Sequence, residues 1–481
     1  MQPTYILMIQ LAISLLILLR ASLTSAFVLM MYCGMLGGSA ALLLPALGGS
    51  SIPPQQVALV FVLIAAAMSP GRPLLLLPEA IRANRWLVCF VLYGVATAIL
   101  APRLFAGTMK VAPLKPLDYG SMFETALLAP SSQNLTSAFY LFGTLMIALT
   151  AYLVARTQRG AIAALMSAGI AIAWTHVALG LIVMAARGTA LDPLLSLIRN
   201  GRYAQLDQGY EGFVRIRGLF PESSSYAEFG FAFLVMNAEL WYRGIRPSAT
   251  GPAAFALATM MIFSTSSTAY VALTAYVLLF VLRAFLMPRL APATRVRQFG
   301  SAVLVILVLI ATLMLLVPEL PAKFADMIND MTVGKPGSDS GQQRLFWAMQ
   351  GWSTFVGSYG LGIGPGSFRS SSIVMAILGS TGVIGTAAFL FYLYGVVQPK
   401  RRSTYGRADL IEHSIGGAFA VAALFSLVPA AASSPKADPG SAFAILAGAA
   451  LALRPQVRRR PSETRSTMTE AVPEIASTAP A

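Results

Sequence analysis

Apolar segments of membrane-spanning length, separated by short polar connections, recur along almost the whole chain. A bilayer core requires roughly 20 apolar residues of helix for each crossing. Such segments occur at 4–20, 23–47, 56–70, 86–102, 136–155, 160–186, 226–242, 251–264, 267–285, 299–317, 371–396, 411–432 and 440–454. The pattern predicts an all-α polytopic membrane protein with about 12 transmembrane helices (12–13), because the short first segment either crosses or lies in the interface.

Basic residues mark every second connection between these segments. They occur at Arg72, Arg82 and Arg85; at Arg156 and Arg159; at Arg243 and Arg246; from Arg283 to Arg297; from Lys400 to Arg407; and from Arg454 to Arg460. Because Lys and Arg accumulate in cytoplasmic loops, the remaining connections are predicted to lie outside. These outer connections are 48–55, 103–135, 187–225, 318–370 and 433–439. The three longest belong to this set, so we expect the function on the outer face.

Composition supports a membrane protein and excludes a nucleic-acid partner. The chain is 57% hydrophobic and 11% charged, whereas soluble domains carry about 25% charged residues. Its net charge of +15 lies in clusters between apolar segments, as membrane topology requires. Cys33 and Cys89 lie in apolar runs without metal-like spacing, so neither a metal site nor a cofactor is predicted. Residues 1–454 are predicted to form the membrane domain, and 455–481 a disordered cytoplasmic tail.

Arginines in the outer connection 187–225 depart from the rule that places basic residues inside. Arg215 and Arg217 are two residues apart and would face alike in an extended segment. A guanidinium group binds phosphate bidentately and stays charged at any working pH. Two interpretations are open: an anion site, or solvated side chains paired with Glu211 and Glu222.

The helix that follows begins with a capping-box pattern. Ser225 would accept a hydrogen bond from the backbone of the first turn, and Glu228 would reach back to the cap. Glu222, which follows Pro221, has no such local role. Glu222 is therefore the better candidate for a general base.

The last long outer connection repeats the combination of a cap and an arginine. Ser340 and Gln343 fit a second capping box, which places Arg344 in the first turns of a helix. Backbone N–H groups at a helix N-terminus and a guanidinium together favour an anion without any metal. This helix is predicted to be amphipathic, with an apolar stripe formed by Leu345, Met349, Trp352 and Val356.

A glycine-rich stretch, 360–366, follows this helix. Its four glycines predict a tight irregular turn that permits close backbone approach to a ligand. Arg369, just beyond it, is either a further phosphate contact or an interface anchor, and Trp347 and Trp352 are interpreted as interface anchors. His176 lies in the middle of a predicted span, where a hydrogen-bonded helix contact is the commoner role.

Three blocks of this sequence resemble the O-antigen polymerase and O-antigen ligase superfamily of bacterial integral membrane glycosyltransferases. They are 217–222, Arg344 with Trp347, and 360–368 followed by 378–385. The resemblance implies a metal-independent enzyme of the inner membrane that acts on undecaprenyl-diphosphate-linked glycans at the periplasmic face. Ligases of this group usually carry a histidine soon after the glycine-rich turn, where this chain has 370–375 without one. The polymerase branch is therefore favoured.

The resulting hypothesis is polymerisation of an exopolysaccharide or O-antigen repeat unit, with release of undecaprenyl diphosphate. Its diphosphate would be bound by Arg215, Arg217, Arg344 and Arg369. Arg217 and Arg344 would stabilise the developing charge, and Glu222 would accept the hydroxyl proton. The expected partners are the lipid-linked oligosaccharide, the bilayer and a chain-length regulator protein. Two alternatives remain: a ligase that transfers glycan to lipid A core, and a transporter or flippase of an anionic lipid-linked substrate. Charges are nearly absent from the predicted spans, which disfavours the transporter.

Overall fold

The structure is a computed structural model that describes residues 2–45, 50–115, 123–201, 209–210, 213–286, 293–316, 339–398 and 407–454. The predicted disordered tail, 455–481, lies outside these ranges, as do residues 317–338 of the last long connection.

The structure is 75% helical with almost no sheet, which confirms the all-α prediction. In chain order they are α1 (Tyr5–Leu19), α2 (Leu23–Cys33), α3 (Pro54–Met68), α4 (Leu77–Ala83), α5 (Arg85–Leu104), α6 (Ser132–Thr157), α7 (Ala161–Ala186), α8 (Asp192–Ile198), α9 (Ser223–Tyr242), α10 (Pro247–Phe263), α11 (Ser267–Leu286), α12 (Ala293–Leu316), α13 (Asp339–Gly357), α14 (Ile373–Val397), α15 (Arg407–Ser433) and α16 (Ser441–Ala452).

Six helices of the described chain are long and apolar enough to cross a membrane: α5, α6, α7, α12, α14 and α15. A seventh crossing results if α3 and the segment Pro73–Ala83, bent by 100°, count as one span. Shorter apolar helices occur at α1, α2, α10, α11 and α16. The chain is thus a multi-pass membrane protein, and several of the apolar runs form helices shorter than a full crossing.

Short strands tie several connections together. β1 (Gln2–Pro3), β2 (Leu42–Leu44) and β3 (Ser50–Ile52) form an antiparallel sheet in which Leu43 pairs with both Gln2 and Ser51. β4 (Lys110–Val111) pairs with β5 (Ala126–Leu127), and β6 (Gly209–Tyr210) pairs with β7 (Phe213–Val214). These pairings satisfy backbone groups that would otherwise be left open between helices.

Helix α9 lies in the centre of one half of the bundle, against α7, α10, α11 and α15, while α6 packs against α5 and α16. Within a membrane, helices associate mainly through close packing of small residues. The α6–α16 contact shows this directly, because Gly448 lies against the backbone of Ala148 and the methyl group of Ala151.

Two arginines predicted to be cytoplasmic loop charges fold back onto a buried carboxylate. Glu239, fully buried near the end of α9, accepts hydrogen bonds from Arg283 at 2.6 and 3.0 Å and from Arg243 at 3.2 Å. The Tyr276 hydroxyl donates a further bond at 3.0 Å. This network joins α9 to α11, and its charges belong to the packing of the bundle as well as to its topology.

Four connections meet at the end of the bundle remote from Glu239, and we term their described residues the loop face: 105–115 with 123–131, 215–222, 358–372 and 434–440. Backbone hydrogen bonds join three of them, from Arg369 N to Ala112 O (2.9 Å) and from Ser370 N to Pro435 O (3.2 Å). The side chain of Gln350 accepts from Ala112 N at 3.0 Å. Connections far apart in sequence therefore form one continuous surface.

Both predicted capping boxes are wrong. Helix α9 begins at Ser223, so its N-cap is Glu222, and Ser225 and Glu228 lie inside the helix. Helix α13 already includes Asp339, which places Ser340 inside it. In each case the helix begins earlier than the local pattern indicates, and the carboxylate of Glu228 is therefore not used for capping.

Candidate functional site

The glycine-rich turn 360–366 is built by left-handed backbone at every glycine: φ is 78° at Gly360, 85° at Gly362, 89° at Gly364 and 86° at Gly366. This confirms the predicted irregular turn. The close backbone approach is to neighbouring helices. A Cβ at Gly362 would lie 2.5 Å from Ser380 O, and one at Gly364 would lie 2.7 Å from Ala98 Cα.

The turn also completes a break in α14. Gly382 departs from helical geometry there (φ 59°, ψ −156°), which frees nearby carbonyls. Ile363 N donates to Gly379 O at 3.0 Å and Gly364 N donates to Ser380 O at 2.9 Å. Irregular backbone inside a membrane protein requires such internal partners. The turn is thereby fixed, and the segment carrying Arg369 leaves it in a defined direction.

Arg369 lies over the face of Trp347, with its guanidinium carbon 4.1 Å from the ring centroid. Its Nε is buried and has no hydrogen-bond partner. Burial lowers the pKa of Arg369, and the nearby charge of Glu222 partly opposes that shift. Trp347 is partly buried beneath this cation, whereas Trp352 is 49% exposed. The predicted apolar stripe of α13, which includes Trp352, faces outward.

Arg344 belongs to the same region through α13. It lies one turn before Trp347, and its carbonyl accepts a hydrogen bond from Ser371 Oγ at 2.5 Å. Glu222 caps α9 with its backbone, and its side chain accepts from Ser224 Oγ at 3.0 Å. The structure thus brings Arg344, Arg369 and Glu222 into one neighbourhood at the loop face. The charge and the unpartnered donor on Arg369 suit an anion.

Arg215 and Arg217 flank a buried residue. Ile216 is 3% exposed, while both arginines are partly buried. Arg215 lies close enough to Tyr270, at the start of α11, for its charge to act on the tyrosine hydroxyl. Arg217 begins the turn to Glu222, since Phe220 N donates to Arg217 O at 2.9 Å.

An aromatic cluster packs against the turn between Arg217 and Glu222. Phe220 contacts His176 edge-on at 5.6 Å between ring centroids and Phe229 at 5.3 Å. His176 stacks on Tyr226 at 3.8 Å and its Nε2 is hydrogen-bonded to Tyr226 O at 3.1 Å. The interpretation of His176 as a hydrogen-bonded helix contact is confirmed. Its role is to hold α7 against α9, beneath the turn between Arg217 and Glu222.

A polar cavity of about 260 Å³ lies beside the same turn, and sequence reasoning missed it. We term it the serine cavity. Its lining includes Ser225 and Glu228 of α9, Ser426 of α15, and Ser441 of α16. Glu228 accepts no hydrogen bond within the described part of the chain, and the charge of Asp438 lies close enough to act on it. The capping pattern had concealed this residue.

Asp438, in the connection 434–440, is held in place by hydrogen bonds. Thr144 Oγ1 donates to Asp438 Oδ1 at 2.7 Å and Gly440 N donates at 3.1 Å. Burial raises the pKa of Asp438, and these two bonds together with the charge of Lys436 partly offset the rise. Burial lowers the pKa of Lys436, whose ammonium lies 5.1 Å from the Tyr140 ring centroid. A Lys-x-Asp pair in a short connection, predicted to lie outside, was the available sequence signal.

A second cavity, of about 830 Å³, is an apolar groove between α9, α10, α11 and α12. On α12 its lining runs from Gln298 to Ile310, a length of about 18 Å at 1.5 Å per residue. At one end the groove reaches Tyr270, beside which Arg215 lies. An apolar groove of this shape suits a hydrocarbon chain.

Comparison with known proteins adds no assignment, since no family model, curated protein or solved structure matches this chain. Within the described ranges, no group of three His, Cys, Asp or Glu side chains is placed to hold a metal ion.

Proposed function

We propose that this protein is a bacterial inner-membrane polymerase of lipid-linked glycan repeat units, with about twelve crossings and a periplasmic loop face. The observation that carries the proposal is the Arg369 guanidinium, stacked on Trp347 with a buried unpartnered Nε, beside Glu222 and close to Arg344. Such a cation within the loop face of a membrane protein suits a membrane-linked anion, and a polyprenyl diphosphate is one.

This glycosyl transfer depends more on stabilising the negative charge of the leaving diphosphate than on activating the donor. A sugar hydroxyl on one lipid-linked unit attacks the anomeric carbon of another chain, and the bond to the diphosphate breaks. Negative charge develops on the leaving diphosphate, where preorganised guanidinium groups act most strongly. Arg344 on α13 and Arg369 after the glycine-rich turn supply positive charge. Arg215 and Arg217 supply more of it from the segment before α9.

The apolar groove supports a lipid-linked substrate. Its end at Tyr270 lies beside Arg215, so a polyprenyl chain in the groove would place its diphosphate among the loop-face arginines. The transporter alternative gains less support. At the opposite end, the buried Glu239 pairs with Arg243 and Arg283, whereas a translocation path uses charges that meet the substrate.

The test uses purified protein in liposomes and lipid-linked repeat units extracted from a strain that lacks the protein. Wild type should lengthen the glycan and release polyprenyl diphosphate. Arg369→Lys and Arg344→Lys should each slow release by about 10²–10³-fold, because lysine cannot reproduce the planar donor fork. Arg159→Lys, an exposed arginine at the opposite end, is the matched control.

Two outcomes would count against the proposal. Wild-type release rates in both arginine variants would remove the diphosphate role of these residues. Movement of labelled lipid across the bilayer, without elongation or release of diphosphate, would identify a transporter. A ligase would transfer glycan to lipid A core added to the liposomes and would not extend the repeat-unit chain.

A further inference from the structure

The serine cavity presents unused hydrogen-bonding groups of both kinds. The hydroxyl groups of Ser225 and Ser441 make no hydrogen bond to a described residue. The Ser426 hydroxyl donates to Ala423 O at 2.7 Å, and its oxygen lone pairs remain available as acceptors. The carboxylate of Glu228 supplies acceptors. A ligand that fills this cavity must therefore offer several groups that both donate and accept.

Helix α16 adds backbone donors to the same cavity. Its first intrahelical bond runs from Ala444 N to Gly440 O (3.2 Å), so the N–H groups of Ser441, Ala442 and Phe443 have no partner among the described residues. No side chain caps this helix, and Asp438 accepts from Gly440 N, one residue earlier. The three residues with open N–H groups all line the cavity.

Aromatic rings complete the lining. Phe220, Phe229 and Phe443 also line the cavity. Carboxylate, hydroxyl and amide groups beside aromatic faces match a sugar ring, which carries hydroxyl groups at its edge and C–H bonds on its faces. The volume of about 260 Å³ is smaller than that of typical drug-sized sites, and it suits a single ring.

The cavity and the arginine neighbourhood share two segments of chain. In the first, Glu222 faces Arg369, and Ser225, three residues later, lines the cavity. In the second, Pro435 O accepts from Ser370 N, the residue after Arg369, while Pro439 and Gly440 line the cavity. An anion held by Arg369 and a sugar held in the cavity would therefore be neighbours.

We infer that the serine cavity binds the attacking sugar and that Glu228 accepts the proton of its hydroxyl, an inference that rests on the proposed function. The hydroxyl oxygen forms the new bond to the anomeric carbon, and its proton passes to the Glu228 carboxylate. The anomeric carbon loses its bond to the diphosphate oxygen, which keeps the electron pair. Glu222, the base expected from sequence, accepts a hydrogen bond from Ser224 and lies near the charge of Arg369.

The main test compares Glu228→Gln with Glu412→Gln in the liposome elongation assay. Glutamine keeps the size of the side chain and one acceptor oxygen but cannot take the proton, so elongation kcat should fall by about 10²–10⁴-fold. The KM for lipid-linked repeat unit should change less than threefold. Glu412 is exposed at the start of α15, far from the loop face, and its variant should elongate like wild type.

A second variant tests the cavity separately from the proton transfer. Ser441→Leu would fill the space at the start of α16, and it should raise the KM for the attacking unit at least tenfold. Retention of each variant in membranes and its elution as a single species in detergent show that it has folded. Because Ser441 lies at the cavity edge and not in the core, this variant remains informative if Glu228→Gln fails to fold.

The two failures are distinguishable. If wild type never elongates lipid-linked glycan, the proposed function is wrong. If wild type elongates and Glu228→Gln keeps its kcat while Ser441→Leu keeps its KM, the serine cavity is not the sugar site. If Glu222→Gln alone abolishes kcat while Glu228→Gln does not, the base is Glu222.

Discussion

A single methyl group on the glycine-rich turn provides the sharpest test of how the loop face is held. Gly362→Ala places a Cβ 2.5 Å from Ser380 O and 2.7 Å from Gly382 N. Both atoms are backbone at the break in α14, so they cannot move cheaply. The left-handed conformation (φ 85°) costs a non-glycine residue about 1–2 kcal/mol, and overpacking adds about 1–3 kcal/mol.

The matched control is Gly107→Ala. Gly107 is also left-handed (φ 71°), and a Cβ there meets nothing within 4 Å. Both variants replace a glycine by alanine, so the change in conformational entropy of the unfolded chain is the same and cancels when the two variants are compared. The difference between the variants in free energy of unfolding, measured by denaturing-detergent titration, should be about 1–3 kcal/mol. Equal losses in the two variants would refute the close packing of the turn.

Two further predictions concern buried groups. Glu239→Gln leaves Arg243 and Arg283 facing a neutral partner and should cost about 3–5 kcal/mol of unfolding free energy. Glu79→Gln weakens a 3.8 Å pair between side chains 30–36% exposed and keeps an acceptor oxygen for the 2.6 Å bond from the Tyr152 hydroxyl, so it should cost less than about 1 kcal/mol. Similar losses in the two variants would contradict the Glu239 network. Phe220→Ala removes a 6% exposed ring from the aromatic cluster and should cost about 3–5 kcal/mol; a change below about 1 kcal/mol would show that the turn before α9 does not depend on it.

Local sequence patterns predicted the features that local backbone conformation determines. The four alternating glycines indicated an irregular turn, and all four adopt positive φ. The residues that contact this turn could not be predicted from local sequence, because they belong to α5, α6 and α14. The most distant of them is more than 260 residues away in sequence. The packing of Arg369 on Trp347 beside Glu222 is likewise a contact among three separate segments.

The capping boxes show how a local pattern misleads. A serine followed three residues later by Glu or Gln fits a cap, yet α9 begins two residues before Ser225 and uses the backbone of Glu222. Tertiary contacts at Phe220 fix where the chain enters the helix, and they prevail over the side-chain signal. The capping pattern predicts a structural role for Glu228, whereas the position of α16 against α9 places this residue at the serine cavity.

Three acidic side chains, Glu239, Asp438 and Glu228, differ in their hydrogen-bond partners, and this difference distinguishes structural roles from a chemical one. Within the described chain, Glu239 is surrounded by two guanidinium groups and a hydroxyl, and Asp438 receives two hydrogen bonds. Glu228 receives none and faces the charge of Asp438. A partly buried carboxylate without a hydrogen bond to the protein is unfavourable for folding, because burial removes part of its hydration. Such a cost is tolerated where the group must stay open to a ligand, and an acid beside a cavity of free hydroxyl and amide groups meets that condition.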